Sequence, residues 1–524
     1  MTPGIIAQHA PALIIALPLF AAFATPLIGR YSRQARDAWI FAAMAATAAI
    51  AAVLAYQVYT VGTVVYAFGA AAPHIPLPID SGGIPIRIIF TVDAMSAFMV
   101  VTAAISGFAV TLYSLISESK LTGRDGFYAL LLLLITGILG MVCTGDLFNF
   151  FVFLELNSIA GAALIAYRND KGVAIEAGLK YAFLCTIGGL FVIFATALLY
   201  GQYNALNIAM LASRIEFTML DKVALVLLLA ALAMKAGAVP LHFWTPDAYS
   251  MAPGSITALL VVASQAGLYG VFRVVFTLYS VTLDYFAVGW IIIVLGVLSM
   301  FIGVTMALVQ KDVKRLMAYH AVSQTGYMLL GVGVGLAVLG QQGLMDAYGL
   351  VAMEGGIFHI INHAMYKGLL FLTAGAIFYR TGTRNLNRLG GLGHSMKWTM
   401  IFFIIGALAI AGIPPFNGFA SKLMIYESVF LFNPLLAIIA MVVSILTLAS
   451  FVKVFQSIFM GPRLPEYADV KEAPLPMLIG MGILAVVTVA FGLAPAWVVD
   501  QFVAPAAAAL VNQSGYIASV LGGL

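Results

Sequence analysis

Apolar runs, each near the length of one membrane crossing, follow one another along almost the whole chain of 524 residues. A bilayer core about 30 Å thick takes roughly 20 residues of α-helix. The runs fall at 10–29, 38–60, 94–116, 127–145, 147–167, 177–201, 222–242, 254–281, 285–309, 318–340, 348–379, 398–420, 430–459 and 474–494. Fourteen spans in an all-α polytopic membrane protein are therefore expected. Only 9% of residues are charged and 63% are hydrophobic, against roughly 25% charged in soluble proteins. That excludes a soluble globular enzyme, a disordered chain and a nucleic-acid binder with a basic face. The two cysteines, Cys143 and Cys185, lie in apolar runs with no CxxC spacing. A disulfide framework, a zinc site and an iron–sulfur cluster are not expected. The first base is Arg30, so no basic signal-peptide region precedes the first run, which reads as a permanent helix.

Loop charge predicts the orientation. Sixteen bases fall in loops after spans 1, 3, 5, 9, 11 and 13, whereas Arg87, Arg214 and Lys222 are on the other side. The positive-inside rule puts the first set in the cytoplasm and both termini outside, in the cell membrane. The five tryptophans fall near span ends, as in an interfacial belt. Residues 66–93, rich in Pro, Gly and β-formers, read as an exposed hairpin or ordered loop. The Ala/Val-rich tail after Pro495 is expected to lie along the surface.

The bases left inside spans are Lys180, Lys235, Arg273, Lys367, Lys422 and Lys453. Arg273 and Lys453 fit snorkelling. An ammonium at mid-bilayer costs at least about 2.5–3.5 kcal/mol and usually marks a hydrated ion path. Lys235, Lys367 and Lys422 are read in that way. Glu155 is nine residues past Asp146, roughly 13 Å into its span, and needs a cationic partner or a proton. Glu176 and Lys180 are an i,i+4 pair. They form either an interfacial salt bridge, or Lys180 turns inward to tune Glu155 or Lys235. Pro240 follows Lys235, and Pro414 and Pro415 precede Lys422. Proline removes a backbone donor, and two interrupted helices with buried lysines suggest inverted repeats. His359, His363 and Lys367 recur every four residues on one helix face and suit a proton relay better than a metal site, since further ligands are not evident. Tyr319, His320, Ser323, Gln324 and Tyr327 can order water, with His320 expected near the cytoplasmic mouth.

Four long blocks and a fifth short one carry a resemblance. They are GDLFNFFVFLELNSIAG (145–161), KAGAVPLHFWTPDAYSMAP (235–253), QKDVKRLMAYHAVSQTGYMLLG (310–331), HAMYKGLLFLTAGAIFYRTGTRNL (363–386) and GIPPFNGFASK (412–422). The chain resembles the antiporter-like subunits shared by respiratory complex I, Mrp cation/proton antiporters and membrane-bound hydrogenases. Its wording is nearer the Mrp and hydrogenase type. The resemblance implies two inverted five-helix repeats, spans 4–8 and 9–13, with spans 7 and 12 broken. The domains would be residues 1–126, 127–284, 285–460 and 461–524. It also implies that Glu155 pairs with Lys235, that Lys422 is the span 12 proton carrier, and that His363 and Lys367 are span 11 path residues. Many relatives have a lysine or histidine at the position of Gln265, and some have a histidine at that of Gln324. Glutamine cannot change charge, so water held by Gln265 and Gln324, or His359 and His320, is expected to join the halves.

The function implied is proton translocation within a multi-subunit membrane complex, coupled to a redox or antiport partner. The rivals are Na⁺/H⁺ exchange in an Mrp-type assembly and a non-conducting scaffold. This chain has no phosphate loop, nucleophile–base pair or metal-ligand set. No cofactor, redox site or hydrolytic site is expected in it, and other membrane subunits would be its partners.

Overall fold

The structure, a computed structural model, describes residues 5–68, 88–119, 122–168 and 170–522. The main helices are α1 (Ile5–Tyr31), α2 (Arg33–Val61), α3 (Ala94–Ser117), α4 (Arg124–Cys143), α5 (Leu147–Ile165) and α6 (Gly172–Tyr203). Then come α7 (Met219–Ala236), α8 (Trp244–Met251), α9 (Gly254–Phe272), α10 (Tyr285–Leu308), α11 (Val313–Ala337) and α12 (Leu350–Thr381). The last are α13 (Lys397–Ala411), α14 (Asn417–Phe432), α15 (Pro434–Phe459), α16 (Leu475–Leu493), α17 (Ala504–Val511) and α18 (Gln513–Leu521). Side-chain caps set several starts. Asp93, Asp146, Asp284 and Asp312 each accept from an amide in the first turn of α3, α5, α10 and α11, and Thr218 and Asp221 form a capping box on α7.

Among the described residues, eleven helices are long and apolar enough to cross a membrane. The three other expected spans have identifiable reasons for falling short. Helix α7 carries Asp221, Lys222 and Lys235; α11 carries His320, Ser323, Gln324 and Thr325; and the span 12 region is divided into α13 and α14. Both expected breaks are present. Helix α7 ends on Gly237 in the left-handed region (φ 72°), and α13 ends on Gly412 (φ 76°), where a side chain is strained. Proline follows each.

Helices α9 and α12 form the centre: the membrane window of α9 is entirely buried, and α12 touches α3, α9, α11, α13, α14 and α16. Lipid gives apolar helices no hydrophobic drive to associate, so close packing has to supply it. On α10, Gly289, Gly296 and Gly303 lie against α11, where an added Cβ would come within 2.6–2.9 Å of its backbone.

Two peripheral segments pack against the bundle. Strands β1 (Val64–Ala67) and β2 (Ile89–Val92) pair antiparallel, but β2 is wholly buried, with Phe90 against the Phe68 and Phe153 rings. The hairpin base is therefore inside; its tip, with Arg87, lies outside the described residues, as does Lys120. The tail is amphipathic, with Trp497, Asp500 and Gln501 exposed and the opposite face on the bundle. Val503, Ala506, Ala507 and Leu510 are fully buried, because small side chains let α17 settle on α3. Gln513 of α18 donates to the Thr277 carbonyl at 2.8 Å.

Candidate functional site

The polar interior starts at the first break. Lys235 is in the last turn of α7, where carbonyls lack intrahelical partners and favour a cation. It is almost completely buried. Its ammonium donates to Ser158 Oγ of α5 and Tyr181 OH of α6, both at 2.9 Å, and lies 3.7 Å from Cys185 Sγ. Helix α9 comes close here: a Cβ on Gly267 would be 3.0 Å from Lys235 Cβ.

Glu155 does not close an ion pair with Lys235. Neither is in an ion pair within 4.0 Å among the described residues. Glu155 leans toward α6, where a side chain on Gly189 would run into its carboxylate, and its Oε1 is buried without a hydrogen bond. The geometry is that of a separated pair, with Lys235 held by neutral groups. Lys180 does not turn inward either. It is half exposed and contacts Glu176 at 2.7 Å and Asp247 at 3.2 Å; Asp247 also takes Arg315 at 2.7 Å. Of its two readings, the interfacial salt bridge is the one the geometry supports.

At the centre, Gln265 Nε2 of α9 donates to His363 Nδ1 and to the Ile360 carbonyl, both at 2.8 Å. The amide nitrogen is a donor, so His363 Nδ1 accepts and the ring proton is assigned to Nε2. One turn away, His359 Nε2 lies 3.1 Å from both Gln324 Oε1 and Tyr366 OH, and its Nδ1 lies 2.9 Å from Ser421 Oγ. Gln265 and Gln324 thus hold histidines directly, where water was expected to join the halves. The two histidines take different partners.

The next residue after Ser421 is Lys422, on α14 just beyond the second break. Its ammonium donates to the Ile410 carbonyl at 2.7 Å and to Ser444 Oγ at 3.0 Å, and lies 4.7 Å from the centre of the Tyr327 ring. The Ile410 carbonyl belongs to the last turn of α13. Both buried lysines therefore occupy the negative end of the half-helix preceding a break.

Lys367 and His320 both lie near the Phe451 ring. Lys367 is fully buried, makes no hydrogen bond, and lies 5.5 Å and 5.7 Å from the Phe371 and Phe451 ring centres. His320 is also fully buried, with Nε2 2.8 Å from Ser450 Oγ. It does not bond His359. Gln265 Oε1, Gln324 Nε2, His320 Nδ1, His363 Nε2 and Lys367 Nζ are all buried without a protein partner, and polar atoms in that condition call for water.

Sequence reasoning missed the groups that hold the lysines, Tyr181, Cys185 and Ser444, and those that hold His359, Tyr366 and Ser421. Tyr181 and Cys185 are i,i+4 on α6, the one signal that a polar stripe faces Lys235. It also misread Arg273. That residue does not snorkel but is buried with Asp93, which caps α3, and hydrogen-bonds Ser96, Tyr269 and Thr277. Lys453 caps α10 through the Leu308 carbonyl at 2.8 Å, close to the bland role expected for it.

Known proteins resemble this chain over most of its length. Residues 144–447 match the family model described as NADH:quinone oxidoreductase/Mrp antiporter, TM. The chain is 33% identical over 444 residues, 83% of its length, to 86% of an Na⁺/H⁺ antiporter subunit of Alkalihalophilus pseudofirmus. It is 32% identical over 478 residues to an NADH-quinone oxidoreductase subunit of Desulforudis audaxviator, covering 89% of this chain and 90% of that one. A chain in the structure of the Mrp complex from Dietzia sp. DQ12-45-1b superposes with a TM-score of 0.86 at 27% identity, covering 99% of this chain and 100% of that one.

Proposed function

The chain belongs to the NADH:quinone oxidoreductase/Mrp antiporter transmembrane family, and on that premise we propose that this antiporter-like subunit carries protons between its two broken helices. The path begins at Glu155 and Lys235, crosses from α9 to α12 at Gln265 and His363, continues through Tyr366, His359 and Gln324 to Ser421, and ends at Lys422. The observation that carries the reading is the hydrogen-bonded run from Gln265–His363 and from Gln324–His359–Ser421 to the edge of Lys422. Lys367 and His320 are a side branch that holds charge near the path.

Opening and closing the Glu155–Lys235 pair supplies the switch. A lysine beside a carboxylate keeps its proton, and one held by neutral groups in a buried site gives it up more readily. The conformation described here, with Lys235 on Ser158 and Tyr181, is the releasing one. Lys180 serves the mouth through Asp247 rather than the wire.

The same reading gives fourteen spans, with inverted repeats over 127–284 and 285–460, flanked by 1–126 and 461–524, and both termini outside the cell. Support comes from the matching chemistry of the two breaks: a left-handed glycine, then proline, then a polar half-helix. A multi-subunit assembly of the Mrp or complex I type is the setting, where a partner drives the switch. Na⁺/H⁺ exchange is the second reading, favoured by the 33% identity to an Na⁺/H⁺ antiporter subunit.

The test is transport in sealed vesicles holding the assembled complex. Lys235→Ala should abolish coupled proton movement with assembly intact, and coupled transport retained in that variant would sink the proposal. Repeating the assay with and without sodium separates the two readings.

A further inference from the structure

A cavity of about 340 Å³ lies away from the proposed proton path. It opens where the ends of α3, α5, α9, α11 and α12 meet, on the face read above as cytoplasmic. Four bases line it: Arg168, Lys171, Lys314 and Arg384. Three of them gather round one ring. Arg168, Lys171 and Arg384 lie 5.3, 5.6 and 5.7 Å from the centre of Phe378. A positive-inside loop needs bases only somewhere on that face; turning four of them into one hollow brings like charges together at a cost that an anion would offset.

The carboxylates present do not suffice. Glu118 and Asp170 are the two that line the cavity. Glu118 lies 3.7 Å from Arg168, and Asp312 lies 3.3 Å from Arg384. Lys314 spends its ammonium on the Ala252 carbonyl, and Lys171 makes no ion pair among the described residues. Burial pushes the Glu118 carboxyl up from its ordinary value, which weakens it as a counter-charge. Its Oε2 is buried without a hydrogen bond. A second feature adds to the bases. Helix α9 begins at Gly254 in the cavity wall, and the first amides and positive dipole end of a helix favour an anion there.

We propose that this cavity binds a phosphate group, carried by an anionic lipid headgroup or by a soluble phosphate compound. Arg168 and Arg384 supply planar donors matched to phosphate oxygens. Lys171 supplies the exposed charge at the rim, and the first turn of α9 reaches the wall at Gly254. The site stands apart from Lys235, Gln265 and Lys422.

Lysine acetylation of the purified assembly, read by mass spectrometry at Lys171 with Lys471 as an internal standard, tests it. Inorganic phosphate should slow labelling of Lys171, and chloride at equal ionic strength should not. Nanodiscs containing phosphatidylglycerol should protect Lys171 relative to phosphatidylcholine alone if lipid is the source. Protection by soluble phosphate without a lipid effect would assign the site to a soluble compound. Arg168→Gln should weaken protection about fivefold, the effect of one base at a phosphate surface, and Arg168→Lys should keep most of it. Equal labelling of Lys171 in every condition, or undiminished protection in Arg168→Gln, overturns the proposal and leaves an acidic segment of a partner subunit as the occupant.

Discussion

Gln265 and His363 meet at 2.8 Å where α9 crosses α12, joining a helix of the first half to one of the second. Gln265 carries no charge, so it cannot relay a proton by holding one. It instead fixes the tautomer of His363, leaving Nε2 protonated and free of protein partners. Replacing it with an apolar isostere should release the ring. Gln265→Leu is expected to cut proton flux about tenfold or more, as when a buried polar group loses its partner at about 1–3 kcal/mol. A pH-sensitive dye inside vesicles reads the flux. Unchanged flux would show that the halves communicate elsewhere.

Tyr181 gives Lys235 one of its two oxygen partners. Tyr181→Phe should leave the chain folded, because the ring keeps its edge contact with Trp244. The loss falls on the ammonium: about 1.5–3 kcal/mol for a hydrogen bond to a charged group. Lys235 then has more to gain from Glu155. Coupled transport should slow severalfold, and its pH dependence should move, whereas Lys235→Ala has none to measure. A rate and pH profile equal to the parent would remove Tyr181 from the switch.

The buried Arg273–Asp93 pair fastens α9 to the start of α3. Removing one member leaves an uncompensated charge, at about 3–5 kcal/mol. Arg273→Gln should lower the thermal midpoint sharply, and Asp93→Asn with Arg273→Gln should regain much of the loss. Equal destabilisation by the single and double variants would refute the pairing.

Eleven spans among the described residues and both breaks were legible because they rest on local chemistry: the length of an apolar run, and proline beside a lysine. Lys235, Lys422, His359 and His363 could be singled out by their cost in a bilayer alone. Their partners could not. Tyr181, Ser158, Ser421 and Ser444 matter through the rotation of each helix about its axis. In a bundle whose helices are apolar on every side, periodicity carries little information about that rotation. The same ignorance left Lys180 a possible inward group and made Arg273 a snorkelling residue. Spacing identified each as lying in or beside an apolar run, without giving the face it occupies.

Asp146 caps α5 by accepting from the Asn149 amide at 2.8 Å. Burial pushes its carboxyl up to about 6. The sign follows directly. Between its ordinary value near 4 and about 6, the folded chain holds a proton that the unfolded chain has released, so this group's contribution to stability falls as pH rises through that window. Infrared difference spectra should show a protonated carboxyl band that disappears with a midpoint near pH 6 and is missing in Asp146→Asn. A band unaffected by that substitution would belong to another acid.

Lys422 separates structure from transport most cleanly. Its ammonium satisfies the Ile410 carbonyl at the end of α13 and bonds Ser444, so it caps a half-helix at the proposed end of the path. Lys422→Ala should fail on both counts, losing about 1–2 kcal/mol of stability with the cap and losing proton transport. Lys422→Arg divides them. Guanidinium donates to the same carbonyl and interacts with the Tyr327 ring, but it does not release its proton within the physiological range. Arginine should therefore keep the thermal midpoint near that of the parent and still stop transport. A transporting Lys422→Arg variant would mean that Lys422 supplies charge and position alone, with the proton leaving through another group.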